Sequence, residues 1–180
     1  LLKRACLELG GKDALIVCDD ADMQRAVEAA TFGAFMHQGQ ICMSAERILV
    51  QHDIAAEFTE RFVRNVKRLK TGDPAEMGNC IGPIINRRQL DRIHAQVTGA
   101  VQAGALLLTG GQHHELFYEP TVLTGVTPEM SVFAEETFGP VAPIVTFADD
   151  AEAIAIANDS EYGLSAGIIT TDEARGWAIA

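Results

Sequence analysis

Phosphate-binding glycine motifs are missing from these 180 residues: no Gly-x-Gly-x-x-Gly fingerprint and no Walker-type loop occurs. The chain therefore shows no dinucleotide fold of its own, and a dinucleotide would have to be held largely elsewhere. Basic residues are also scarce, with 14 Lys and Arg against 25 Asp and Glu for a formal net charge of −11. No Lys/Arg run is interleaved with aromatics, so nucleic acid is not an expected partner. No apolar run is long enough to span a bilayer, and the short apolar stretch near the start is broken by Glu8 and Gly10. Neither a secretory segment nor membrane attachment is expected. The four cysteines, Cys6, Cys18, Cys42 and Cys80, form no Cys-x-x-Cys, which indicates neither a zinc site nor a disulfide framework and favours reduced thiols in the cytoplasm. No metal is expected either, because His113-His114 is two adjacent imidazoles without a third ligand and reads as a solvated turn.

What remains is one globular piece. Hydrophobic residues make up 48% of the chain, enough at this length to bury a core. The chain starts at Leu1 rather than Met and ends within a helical stretch from Glu173 to Ala180, so the expectation is a segment of a longer protein.

Strands and helices alternate along it. Ala14-Leu15-Ile16-Val17 is a buried strand, followed from near Asp22 by a helix whose Met23, Val27, Ala30 and Ala34 share one face. Arg47 to Val50 is a strand. The helix after it carries a stripe of Ile54, Phe58, Phe62, Val66 and Leu69, with Asp53 as the expected N-cap and Thr71-Gly72-Asp73-Pro74 as the stop. A third helix places Leu90, Ile93, Val97 and Val101 on one face and ends before Gly104, ahead of a strand from Ala105 to Leu108. Val141 to Phe147, a helix capped by Asp149 or Asp150, and Ser165 to Thr170 complete the series. This alternation predicts an α/β fold of three layers, αβα, with a mostly parallel sheet.

Cys42 is the cysteine placed for chemistry. It follows the first helix within His37-Gln38-Gly39-Gln40-Ile41-Cys42-Met43-Ser44, where a loop can aim a thiol at a cleft, and a thiolate attacks electrophilic carbonyls once its proton is removed. Cys6 and Cys18, in or beside apolar runs, are expected to be buried and inert, and Cys80 sits in a turn-rich loop. Glu8 lies in Leu7-Glu8-Leu9-Gly10-Gly11-Lys12, a carboxylate within an apolar segment, and burial there would suit it to act as a general base. His37 is expected to pack at the helix end. A cysteine hydrolase using Cys42 with His37 or His94, and a non-catalytic fragment, stay open on the residues alone.

Glu8 with the glycine pair, then Gly39-Gln40-Ile41-Cys42, then Glu135-Glu136-Thr137-Phe138-Gly139-Pro140 resemble, in order and separation, three motifs of the aldehyde dehydrogenase superfamily. Phe117 to Leu123 and Tyr162 to Gly167 also resemble segments of that family, so the likeness covers essentially the whole chain. It implies that residues 1–12 end a cofactor domain or linker and that 13–180 are a catalytic domain incomplete at its C-terminus. It further implies NAD or NADP as cofactor, an aldehyde as substrate, Cys42 as nucleophile, Glu8 as base, and Leu9, Glu136 and Phe138 as cofactor contacts. A homo-oligomeric parent follows as well. Branches that pass the acyl group to coenzyme A tend to lack the glutamate, so Glu8 implies hydrolysis. Phe35 to Ser44 is most similar to members acting on aromatic aldehydes, such as salicylaldehyde and vanillin dehydrogenases.

Overall fold

A computed structural model describes residues 2–180. Residues 2–12 run without regular secondary structure into β1 (Asp13–Val17), followed by α1 (Met23–Phe35), β2 (Ala45–Gln51) and α2 (His52–Val66). After a long connection come α3 (Arg87–Gln102), β3 (Leu106–Thr109), and the short strands β4 (His113–His114) and β5 (Phe117–Tyr118). The chain continues through β6 (Thr121–Thr124), α4 (Ser131–Ala134), β7 (Val141–Phe147), α5 (Asp150–Asn158), β8 (Ala166–Ile169) and α6 (Glu173–Ile179).

Six strands form one sheet in the order β3-β6-β7-β2-β1-β8, parallel except for the antiparallel pairing of β3 with β6. Side chains alternate across it with the two-residue period of a strand. Val17, Ile48, Val50, Val122 and Ile144 point to one face, where α1 and α2 bring Ala26, Val27, Ala30, Phe58 and Phe62. Ile16, Leu49, Leu123, Val141 and Phe147 point to the other, covered by α3 (Leu90, Ile93, Val97) and by Ala153 of α5. The expected three-layer αβα arrangement is therefore the observed one. Phe58 and Phe62 are fully buried, their rings stacked 5.6 Å apart, and truncating either to Ala would cost about 3–5 kcal/mol.

Several local expectations are corrected. Asp53 is not the N-cap of α2: strand β2 runs directly into the helix, and Gln51 holds the cap position without a capping side-chain bond. Its amide oxygen instead accepts from the Asp19 N–H at 2.9 Å and from Arg175 at 2.9 Å. Val101 is 40% exposed, and the neighbouring Ala100 is the residue of the last turn of α3 that enters the core. As an edge strand, β3 exposes Leu106 and Leu107, since only β6 flanks it. His113-His114 is no solvated turn but a strand paired with β5. The His113 ring stacks at 6.0 Å on the buried Tyr118 and meets His94 edge-on at 5.1 Å. Burial pushes the Tyr118 hydroxyl well above the usual tyrosine range. Cys18 is buried as expected, its thiol pushed up to about 11 by burial, whereas Cys6 lies exposed in the N-terminal stretch.

Candidate active site

The helix α1 ends in a run of left-handed backbone that delivers Cys42. His37, Gln38 and Gly39 have φ of 52°, 60° and 67°, and for the two non-glycine residues this conformation costs roughly 1–2 kcal/mol each. His37 is consequently turned out and exposed, not packed at the helix end. Gly39 is required for a second reason: a Cβ there would stand 2.1 Å from the Gly139 carbonyl oxygen. The following residues are pinned. Gln40 Oε1 accepts from the Ile85 N–H at 2.9 Å, and the Ser44 N–H donates to the Ile41 carbonyl at 3.0 Å. This turn holds Cys42 half-buried three residues before β2.

All three motifs converge here. Gly11 packs its backbone on the Cys42 carbonyl, which a Cβ at that position would approach to 2.0 Å. The Gly11 N–H donates to Glu136 Oε1 at 2.9 Å. Residues 125 positions apart are thus bonded directly, and the glycine pair lies between the nucleophile's loop and the Glu-Thr-Phe-Gly turn. Phe138, half-buried, takes a left-handed φ of 51° within that turn.

The turn is clamped on both edges. On the amide side, Glu46 Oε2 accepts from the Thr137 N–H and Oε1 from the Phe138 N–H, each at 2.7 Å. On the carbonyl side, Gln89 Nε2 donates to Thr137 at 2.9 Å and to Phe138 at 3.1 Å, and Arg92 donates to Glu136 O at 2.8 Å. Lys12 Nζ completes the set, 2.7 Å from Glu46 Oε2 and 3.1 Å from Thr137 Oγ1. Burial lowers the Lys12 ammonium's pKa, and the adjacent Glu46 carboxylate works against that shift. Arg47, next along β2, donates through Nε to the Lys12 carbonyl at 3.0 Å and through its Nη atoms to Ile156 and Ala157 at the end of α5, each at 2.8 Å. Burial likewise lowers the Arg47 guanidinium's pKa.

Glu8 departs from its expected burial. It is exposed, as is Leu9 at 76%, in the extended stretch before Gly10. Among the described residues the Glu8 carboxylate has no hydrogen-bonding partner, so the structure brings together Cys42, Gly10-Gly11, Glu136 and Phe138 but leaves Glu8 and Leu9 outside that packed cluster. Sequence reasoning missed Lys12, Glu46, Arg47, Gln89 and Arg92. The one available signal was Ala45-Glu46-Arg47, two charges inside a strand otherwise buried along its length, which demands partners for both. Neither histidine considered as a base for Cys42 is bonded to it. His37 is exposed, and His94 Nδ1 lies 3.2 Å from the Tyr118 hydroxyl. No group of three or more His, Cys, Asp or Glu side chains among the described residues could hold a metal ion.

Among known proteins, the chain is similar to a vanillin dehydrogenase from an Amycolatopsis species, 49% identical over 179 residues that cover 99% of this chain and 37% of that protein. The succinate semialdehyde dehydrogenase Sad of Escherichia coli is 50% identical over 176 residues, covering 96% of this chain and 38% of that one. A crystal structure of betaine aldehyde dehydrogenase from Staphylococcus aureus, in complex with NAD+, superposes with a TM-score of 0.93 at 36% identity over 96% of this chain and 35% of that one. The chain spans little more than a third of the relatives it matches. The model of the aldehyde dehydrogenase family matches residues 1–180, and with the three motifs folded against one another the chain belongs to the aldehyde dehydrogenase family.

Proposed function

We propose that these residues carry the nucleophile and the nicotinamide end of the cofactor site in an enzyme that oxidises an aldehyde to a carboxylic acid with NAD or NADP. The observation that carries this reading is the contact of Gly11 with both Cys42 and Glu136. A reacting carbon bound to Cys42 would be held beside the turn that presents Glu136 and Phe138.

The residues suit a nicotinamide riboside. Glu136 engages only Oε1 among the described residues, leaving Oε2 to accept from a ribose hydroxyl, and the half-buried Phe138 ring offers an apolar wall. In this chemistry the Cys42 thiolate attacks the aldehyde carbon, and the oxyanion formed is stabilised in part by the Cys42 backbone N–H. A nicotinamide dinucleotide held beside Glu136 and Phe138 would supply the acceptor for the hydride lost from that carbon. The remaining thioester is attacked by water whose proton passes to Glu8, the carboxylic acid leaves, and the thiolate is restored. Leu9, beside Glu8, is assigned to the cofactor's edge.

Residues 1–12 are read as the end of a cofactor domain or linker, and 13–180 as catalytic domain, with β1 starting at Asp13 in support. An aromatic aldehyde is the proposed substrate class, supported by the 35–44 segment and by the similarity to a vanillin dehydrogenase. A cytoplasmic homo-oligomer accompanies this reading. Its support is the family likeness, the reduced cysteines, and the absence from the described residues of any helix long and apolar enough to cross a membrane.

In a full-length enzyme carrying these residues, Cys42→Ala is expected to abolish NAD- or NADP-dependent oxidation of vanillin and of succinate semialdehyde while leaving calorimetric cofactor binding intact. Near-normal turnover by that variant overturns the mechanism. A higher kcat/KM for succinate semialdehyde than for vanillin in the unsubstituted enzyme overturns the aromatic assignment alone.

A further inference from the structure

Resting on the reading of Glu136 and Phe138 as cofactor-facing groups, we propose that Glu46 is a positioning residue for hydride transfer: its carboxylate fixes the nicotinamide-side turn at a set distance from Cys42. The two oxygens of one side chain accept from the consecutive Thr137 and Phe138 N–H groups at 2.7 Å each. Glu46 sits on β2 four residues beyond Cys42 and is 3% exposed. Its counter-ion, Lys12, follows Gly11 directly and also bonds Thr137 Oγ1. One buried carboxylate therefore ties the nucleophile's strand, the glycine-pair segment and the Phe138 turn together.

Stability alone is a poor reason for this arrangement. A buried ion pair is commonly matched or bettered by apolar residues of the same volume, because both charges lose their hydration. What it supplies is geometry. Two parallel N–H bonds to a carboxylate set both distance and orientation, and they hold Phe138 in a left-handed conformation that it would not otherwise favour. Hydride transfer is acutely sensitive to such placement. Attack by Cys42 on an aldehyde, or on an alkylating reagent, transfers no hydride and so does not require that turn to place a nicotinamide.

Two substitutions separate geometry from folding. Glu46→Asp keeps the charge beside Lys12 but withdraws the carboxylate by one methylene, so it cannot span both amides. Glu46→Gln retains the length but turns an NH2 group toward an N–H donor. The full-length enzyme and both variants are compared by thermal unfolding, by iodoacetamide alkylation of Cys42 without cofactor, by calorimetric titration with NAD, and by single-turnover formation of reduced cofactor.

For Glu46→Asp the expected result is a melting temperature within about 5 °C of the parent and unchanged Cys42 alkylation. Single-turnover hydride transfer falls on the order of 10–100-fold, with NAD affinity weakened and the aldehyde KM held. Glu46→Gln is expected to slow hydride transfer further. Unchanged hydride transfer in a folded Glu46→Asp enzyme overturns the assignment. So does a uniform loss in which alkylation and melting fall together, or failure of both variants to fold, since each marks Glu46 as a folding element. An unsubstituted enzyme that oxidises no aldehyde sinks the parent reading instead, while its NAD titration and that of Glu46→Asp still report on the turn.

Discussion

Gly11 has no room for a side chain, because the Cys42 carbonyl oxygen would lie 2.0 Å from its Cβ. The obstacle is backbone, so it cannot rotate aside, and Gly11→Ala must displace either the nucleophile's loop or the segment that bonds Glu136. Both displacements spoil the same site. Such a shift is expected to cut kcat on the order of 10²-fold and to lower the melting temperature, measured by steady-state assay and thermal unfolding of the full-length enzyme. Retention of full activity by Gly11→Ala would show that the contact between the two motifs is not needed for the chemistry.

Glu8→Gln is expected to divide the two half-reactions. Hydride transfer requires only the thiolate and a correctly placed cofactor, whereas release of the acid requires a base for water. A rapid burst of reduced cofactor should persist in stopped-flow measurements while steady turnover falls on the order of 10²–10⁴-fold, the usual worth of general-base catalysis. Loss of the burst along with turnover would reassign Glu8 to activation of Cys42.

Much of this was legible in the sequence, for reasons that also explain the exceptions. Strands β1, β2 and β7 were readable as short continuous apolar runs, because parallel strands are buried on both faces, and the faces of α1, α2 and α3 because one-sided burial imposes a period of 3.6, as Ile48-Leu49-Val50 and Phe58-Phe62 illustrate. The exceptions depend on neighbours that no local pattern reports. The strand from Ala105 to Leu108 is legible, but its place at the sheet's edge, with Leu106 and Leu107 exposed, follows only from the strand order. Asp53 reads as a cap until β2 is seen to enter α2 without a loop. At the site, Cys42, Glu136 and Phe138 were marked by their motifs, but the buried Lys12–Glu46 pair joins residues 34 apart and then reaches a turn 91 residues further on. Only the folded chain reveals that contact.

Asp20 anchors the far edge of the sheet and sets an acid limit on its stability. The Thr171 hydroxyl, with the Thr170 hydroxyl and the backbone N–H groups of Thr171 and Asp172, holds the Asp20 carboxyl well below the usual carboxylate range. The Arg175 guanidinium beside Asp150 lowers that carboxyl as well, the two groups meeting at 2.6 Å. A depressed folded-state pKa means that the unfolded chain binds protons first as pH falls. Stability from this cluster is therefore fully present above the unfolded aspartate pKa of about 3.9, and it is lost progressively as pH drops through that value toward the folded one. Because these bonds clasp β8 and α6 to the end of β1, Asp20→Asn is expected to lower the urea midpoint at pH 7. It should also flatten the decline in midpoint between pH 5 and pH 3 relative to the unsubstituted protein, because one depressed carboxylate has been removed. Urea titrations at pH 7, 5, 4 and 3 measure both effects. Parallel pH profiles for the two proteins would mean that Asp20 is no more strongly held in the folded chain than in the unfolded one.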